Sequence, residues 1–167
     1  ILMTNNMVYQ RVHDNMTTLG LTTAEAMVDN WLSTATARDL SGIEILDHLF
    51  EQEVSIKRNS AIEARTRVSG LPVRKRIQDF DFSFQESIDT KVVNELSTLR
   101  FIHNAENLIL LGPPGVGKTH LAIGLGIEAI HAGFSIYFIN SAAMIAKLKL
   151  AAQRGKLEKQ LKSLNKY

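Results

Sequence analysis

The apolar positions of the first 70 residues recur at intervals of three and four, which is the spacing of a helix with one buried face. Two Ser/Thr-x-x-Glu sequences, Thr22–Glu25 and Ser41–Glu44, precede two such series and predict a capping box at the start of each helix. The second series is long, and it ends at Gly70 with Pro72 just beyond, as helices often do. We therefore predict a helical N-terminal domain over residues 1–70.

The helical period disappears over residues 71–88, and we predict a linker in this stretch. Asp89 precedes the next apolar series and is the expected N-cap of the helix that follows the linker. The linker therefore separates the helical N-terminal domain from a second domain, which we predict to span residues 89–167.

Two later runs, Asn107–Leu111 and Ser135–Ile139, are apolar without alternation. Such runs are typical of strands that are buried on both faces of a parallel sheet. A helix from Lys118 to about Gly133 is predicted between them, and two helices over residues 142–152 and 156–164 follow. The order strand, helix, strand, helix predicts an α/β fold for the second domain.

Charge indicates one kind of partner, and composition excludes several kinds of site. The net charge is only +2, but residues 108–167 hold eight Lys/Arg and two Asp/Glu, against eleven and fifteen in residues 1–107. Such an asymmetry favours an anionic partner. The chain has no cysteine, which excludes disulfides and thiolate zinc sites, and it has no apolar run of eighteen residues. We therefore expect a cytoplasmic protein without a membrane partner.

A glycine-rich segment follows the first predicted strand and matches G-x-x-x-x-G-K-[ST] without a mismatch. In this pattern the glycines let backbone amides turn toward phosphate oxygens, the lysine reaches the β- and γ-phosphates, and the hydroxyl binds Mg²⁺. We predict a nucleotide phosphate site with Thr119 as a Mg²⁺ ligand, the alternative being a chance match. The loop itself does not select ATP over GTP. Its residues are Gly112, Pro113, Pro114, Gly115, Val116, Gly117, Lys118 and Thr119.

Seven basic residues and one acidic residue lie between Val54 and Arg76, and they are candidates for contacts with DNA phosphates. The alternative is a solvated helix whose acids come first and whose bases come last, matching the helix dipole. No aromatic residue is interleaved with the bases, so we expect backbone contacts without sequence readout. A second basic segment, Met144–Tyr167, is also a candidate for DNA contact, and its alternative is neutralisation by the half of the protein that we expect to follow. The candidates of the first segment are Lys57, Arg58, Arg65, Arg67, Arg74, Lys75 and Arg76.

Three phenylalanines of the predicted linker, Phe80, Phe82 and Phe84, also have two interpretations. Their rings either approach the adenine of a bound nucleotide or pack the linker against the second domain. Packing is the more ordinary role of such residues.

Four stretches of the chain, taken together, are specific to one family. They are D-F-D-F-S-F-Q (79–85), T-L-R-F-I (98–102), E-N-L-I-L-L-G-P-P-G-V-G-K-T-H-L-A (106–122) and A-G-F-S-I-Y-F-I (132–139). The chain thereby resembles, over roughly residues 40–167, the N-terminal part of an IstB-like ATPase, the transposition helper of bacterial insertion sequences. The glycine-rich loop alone is shared by many families, whereas the joint run from 79 to 121 is much more specific.

The resemblance implies an AAA+ ATPase that is related to the DnaC helicase loader. It implies a helical N-terminal domain followed by the first half of a P-loop domain with a three-layer parallel sheet. It also implies ATP and Mg²⁺ as cofactors and DNA as a largely sequence-independent partner. The transposase of the same element is the implied protein partner, and family members assemble into oligomers.

In this family a strand that ends in Asp-Glu follows almost directly after a segment like Leu164–Tyr167, so we expect the chain to stop before its hydrolytic half. The last aspartate is Asp89, and Glu128 and Glu158 lie within predicted helices. We therefore assign no catalytic residue. Two alternatives to the transposition helper stay open, namely a DnaC-like helicase loader and a DNA or protein interaction module without turnover.

Overall fold

The computed structural model describes residues 2–73, 75–83 and 87–167, with the side chains of residues 2–5 left out. The chain divides into two compact units, residues 1–61 and residues 62–167, and the boundary falls within one long helix. The finer division into residues 1–70, 71–88 and 89–167 stays a prediction.

The first unit contains α1 (Leu2–Thr18), α2 (Thr22–Arg38) and the first part of α3 (Gly42–Val68). The rest of α3 belongs to the second unit. The capping box predicted at the start of α3 is confirmed. The amide of Ser41 donates to Glu44 Oε2 at 2.8 Å, and the amide of Glu44 donates to the Ser41 hydroxyl at 3.4 Å. The predicted end of the helix is also confirmed, because Gly70 follows it with a φ of +72°, which favours glycine.

The capping box predicted at the start of α2 is wrong. The amides of Thr23 and Ala24 donate to Glu53 Oε2 of α3 at 2.8 and 2.9 Å, so the acceptor comes from another helix. Glu25, the expected partner of Thr22, instead accepts a hydrogen bond from the Thr17 hydroxyl at 2.9 Å. The spacing of Thr22 and Glu25 suits a local cap, but the buried carboxylate of Glu53 satisfies the free amides of the first turn.

The core of the first unit contains Ala24, Val28 and Leu49, with Trp31 packed against them and stacked on His48 at 4.5 Å between ring centroids. Other apolar residues of α3 lie outside this core. Ile43 is 73% exposed and Val54 is 63% exposed. The helical period of α3 therefore predicted the helix correctly, but it did not identify which of its apolar residues are buried.

The second unit holds the C-terminal end of α3 and six shorter helical elements, counted over the described residues. The predicted cap of its first α-helix is confirmed, since the amide of Lys91 donates to Asp89 Oδ1 at 2.8 Å. Asn140 caps a later helix in the same way, through the amide of Ala143. The elements are a 3₁₀ turn (Ile77–Asp79), α4 (Thr90–Ser97), α5 (Arg100–His103), α6 (Lys118–His131), α7 (Ser141–Gln153) and α8 (Leu157–Leu164).

The predicted parallel sheet, and with it the α/β assignment, is wrong: the described residues contain helices and loops but no strand. Residues 107–111 form no ladder, and Ile109 and Leu111 are 75% and 88% exposed. In the segment 135–139, the amide of Phe138 donates to the carbonyl of Ser69, which follows α3. A strand exists only where two backbones pair, and an apolar run does not supply the paired neighbour.

The core of the second unit is built around α6. Leu121 and Leu125 of this helix pack with Ile77, Phe80 and Val93 in one cluster. The 3₁₀ turn and α4 thus cover one face of α6, and the glycine-rich loop lies immediately before this buried helix. In the part of the chain that the structure describes, no helix is both long enough and apolar enough to cross a membrane.

Folding lowers the pKa of Glu53, because the amide of Ala24 donates a hydrogen bond to its carboxylate. Burial of the carboxylate raises the pKa in part, and the Lys57 ammonium at 3.2 Å lowers it further. A carboxylate whose pKa is lowered by folding stabilises the fold at pH values above its pKa in the unfolded chain, which is near 4.5. This stabilisation is lost as the pH falls through the lower pKa of the folded state. We predict that Glu53→Gln lowers the melting temperature of the first unit at neutral pH. The difference from the wild type should shrink below pH 4.5.

The fluorescence of Trp31 measures this transition, because Trp31 is the chain's only tryptophan and packs on the core that Glu53 supports. Glu51→Gln is the matched control, since Glu51 is exposed on the same helix. A melting difference that stayed the same from neutral to acidic pH would contradict the assigned role of the Glu53 carboxylate.

Candidate phosphate-binding site

The glycine-rich loop, residues 112–119, joins the segment 107–111 to the start of α6. Its three glycines have positive φ angles of 151° at Gly112, 87° at Gly115 and 93° at Gly117. Residues with a side chain rarely adopt such angles, whereas glycine does so readily. The backbone conformation therefore accounts for the glycine at each of these three positions.

Lys118, the first residue of α6, folds back over the loop. Its ammonium group donates hydrogen bonds to the carbonyl of Gly112 at 2.8 Å and to the carbonyl of Pro113 at 2.6 Å. The side chain is half-buried. The two carbonyls thus hold a positive charge directly against the turn of the loop.

The start of α6 offers further positive charge. Gly117 is its N-cap, and no side chain among the described residues caps the helix. The first regular bond runs from the amide of Leu121 to the carbonyl of Gly117, so the amides before Leu121 have no acceptor within the helix. Free amides and the helix dipole together favour an anion at this end. Thr119 lies in this first turn and is exposed.

Residues 75–83 of the predicted linker, called the linker below, pack closely against α6 through the 3₁₀ turn. Ile77 is buried, and a Cβ on Gly124 would lie 2.7 Å from its Cγ1 atom and 3.1 Å from its amide nitrogen. The glycine in the middle of α6 therefore allows a close approach of the linker backbone. One residue earlier, the carbonyl of Arg76 accepts a hydrogen bond from His120 Nε2 at 2.8 Å.

Phe80 forms the next contact between the linker and the loop. It is buried, and its ring carbon Cζ would lie 2.9 Å from a Cβ placed on Gly117. Its ring also meets His120 edge-on at 5.2 Å and Phe82 at 4.9 Å between centroids. Packing of the linker is thus what the structure shows for Phe80, and Phe84 lies outside the described residues.

A cleft of about 600 Å³ lies between the linker and the loop. It brings together six of the eight predicted loop residues, Pro114 through Thr119, while Gly112 and Pro113 line an adjacent, more apolar cavity beside α4. The linker contributes four residues that the motif did not predict. They are Lys75, Asp79, Phe80 and Asp81.

The two linker carboxylates that border the cleft are held by local bonds. Asp79 Oδ2 accepts from the amide of Arg76 at 3.1 Å, and Asp81 Oδ1 accepts from the amide of Ser83 at 2.9 Å. The described residues contain no group of three or more His, Cys, Asp or Glu side chains that is arranged for a metal ion. Thr119 contributes a side-chain hydroxyl to the same cleft.

The structure divides the predicted DNA-binding run between a helix and the linker. Lys57, Arg58, Arg65 and Arg67 lie on α3, and Lys57 pairs with Glu53 at 3.2 Å. Arg76 is part of the linker that packs on α6, and Lys75 borders the cleft. Arg74 lies outside the described residues.

Comparison with known proteins bears on the identity of this loop. Residues 15–167 match the family described as IstB-like ATP binding protein. The chain is 41% identical to a protein named for ATP binding in insertion sequence IS5376 of Geobacillus stearothermophilus, with 92% of this chain and 61% of that protein aligned. It is 44% identical to the corresponding protein of IS21 from Pseudomonas aeruginosa, with 83% and 52% aligned.

A third relative, from insertion sequence IS232 of Bacillus thuringiensis, is 34% identical over 95% of this chain and 64% of its own length. The chain thus spans between about half and two thirds of the length of these relatives. The resemblance inferred from the four sequence stretches is confirmed by these matches.

Because Phe80 packs on Gly117, we predict that alanine lowers the free energy of unfolding by different amounts at two glycines of the loop. Gly117→Ala and Gly115→Ala both place a side chain at a positive φ, which costs about 1–2 kcal/mol. Only at Gly117 does the new Cβ meet another side chain, and such overpacking costs about 1–3 kcal/mol more.

Urea denaturation followed by circular dichroism measures both variants. We expect the free energy of unfolding to fall further for Gly117→Ala than for Gly115→Ala, which has no neighbour within 4 Å and is the matched control. Equal losses would mean that Phe80 does not rest on the start of α6.

Proposed function

The chain belongs to the IstB-like ATP-binding protein family, and from this premise we propose that it binds ATP at residues 112–119 as a helper of insertion-sequence transposition. The observation that carries the proposal is the cleft in which the loop, the first turn of α6 and the Lys118 side chain converge. Each of these parts offers positive charge or hydrogen-bond donors to a phosphate.

The roles of the individual residues follow from their chemistry. Amides of the loop and of the first turn of α6 bind phosphate oxygens, and the Lys118 ammonium exchanges its two backbone carbonyls for the phosphates. The Thr119 hydroxyl is exposed and binds the Mg²⁺ that accompanies ATP. Bound Mg²⁺ neutralises part of the charge of the triphosphate.

We further propose DNA, the transposase of the same element and other copies of the chain as partners. Family membership supports this proposal, and so does the basic C-terminal half of α3. Arg58 and Arg67 are exposed on that helix, and Arg65 is half-buried between them in sequence. Their charged groups suit DNA phosphates, and contacts to phosphates carry no sequence information directly.

Lys118→Ala tests nucleotide binding. The substitution removes charge-assisted contacts worth about 1.5–3 kcal/mol each, so ATP affinity should fall at least roughly tenfold. Isothermal titration calorimetry with MgATP measures the change. Lys149→Ala, at an exposed lysine of α7, is the control that should leave the affinity unaltered. The proposal fails if Lys118→Ala binds ATP as tightly as the wild type.

Replacing Arg58, Arg65 and Arg67 by Glu tests the DNA interface. Binding to duplexes of different sequence should weaken to the same extent, and the slope of log K against log salt should flatten by about 0.9 for each lost phosphate contact. Glutamates at Lys91 and Arg100, which are exposed on α4 and α5, serve as the control. An unchanged slope in the triple variant would remove α3 from the DNA interface.

A further inference from the structure

We propose that Lys75 is a second cation of the nucleotide site, where it binds the polyphosphate of ATP, and that it is not part of a DNA-binding surface. This inference rests on the proposed ATP-binding function of the loop. The basic run in the sequence groups Lys75 with the arginines of α3. The structure instead places it at the border of the cleft that also contains Lys118 and Thr119.

The position of Lys75 is fixed by the residues that follow it. The carbonyl of Arg76 accepts from His120, which is two residues beyond Lys118 at the start of α6. The amide of Arg76 donates to Asp79 Oδ2 at 3.1 Å, and this bond caps the 3₁₀ turn. The backbone at Lys75 is therefore held beside the first turn of α6 by its direct neighbour.

Two apolar contacts hold the same segment against α6. The close approach of Ile77 to Gly124 joins the 3₁₀ turn to the middle of the helix, and Phe80 rests on Gly117 at its start. Both side chains belong to the buried cluster of the second unit. The linker thus forms part of the wall of the cleft. The long, flexible side chain of Lys75 borders the same cleft as the loop.

The ammonium group of Lys75 is available to a ligand. Its side chain is exposed, and within the described residues no hydrogen bond or ion pair engages it. The carboxylates nearest in sequence are engaged elsewhere, Asp79 with the amide of Arg76 and Asp81 with Ser83. A triphosphate carries several negative charges, and the ammonium group of Lys118 can balance only one of them. A second lysine in the same cleft meets this demand.

The concave shape of the site also favours a nucleotide over DNA as the ligand of Lys75. The cleft of about 600 Å³ is in the range of small-molecule sites. The backbone of a DNA duplex is instead more accessible to cations on an exposed surface, and Arg58 and Arg67 are exposed on α3. The same basic run therefore divides into helix cations for DNA and a linker cation for the nucleotide.

The test compares Lys75→Gln with the wild type of the full chain in competition binding against a fluorescent ATP analogue, using MgATP and AMP as competitors. We expect Lys75→Gln to weaken ATP binding roughly tenfold, as the loss of one charge-assisted contact predicts, and to change AMP binding much less. Lys75→Arg should retain most of the ATP affinity. Lys91→Gln, at an exposed lysine of α4, is the matched control.

Lys118→Ala in the same assay distinguishes failure of this inference from failure of the proposed function. If Lys118→Ala loses ATP affinity and Lys75→Gln does not, the assignment of Lys75 is overturned and the phosphate loop stands. If neither variant loses affinity, both are overturned. Equal losses for ATP and AMP would also overturn the polyphosphate contact. Lys75→Met, which keeps the aliphatic stem, repeats the comparison if thermal melting shows that the glutamine variant does not fold.

Discussion

The close packing of the linker against α6 is the constraint on which the candidate site depends. Gly124 has no side chain at the point where Ile77 approaches, and Gly117 has none where Phe80 lies. A β-carbon at either position would push the linker outward, because protein interiors are packed too densely to absorb it. Without these contacts the loop would border open solvent on this side, and the cleft would lose the wall that carries Lys75 and Asp79.

Glu53 has a comparable role in the first unit. Its buried carboxylate accepts from two amides at the start of α2 and is compensated by Lys57. A buried carboxylate is tolerated only when it is hydrogen-bonded and paired in this way. The contact joins α2 to α3, and Glu53 lies one turn after Leu49, the other buried residue of α3. In each unit, therefore, contacts between residues far apart in sequence hold neighbouring segments together.

The second unit also shows how a correct local pattern leads to a wrong fold class. The runs 107–111 and 135–139 have the apolar composition of buried strands, yet the described residues contain no ladder, and Leu111 is largely exposed. Composition determines whether a segment suits a strand. Pairing depends on a second backbone at hydrogen-bonding distance, which no local pattern specifies. In contrast, the helices after the loop were predicted within a few residues, since their hydrogen bonds are internal.

The sequence by itself determined the features that depend on neighbours within one turn. It determined the start of α3 at Ser41, the cap of α4 at Asp89 and the glycine-rich loop before α6, because capping and backbone conformation are local. Only the tertiary structure decided that Glu53 caps α2, and that Lys75 borders the loop while Arg67 stays on α3. These outcomes depend on which side chains meet across tens of residues, and packing between elements, rather than the spacing of residues along the chain, decides that.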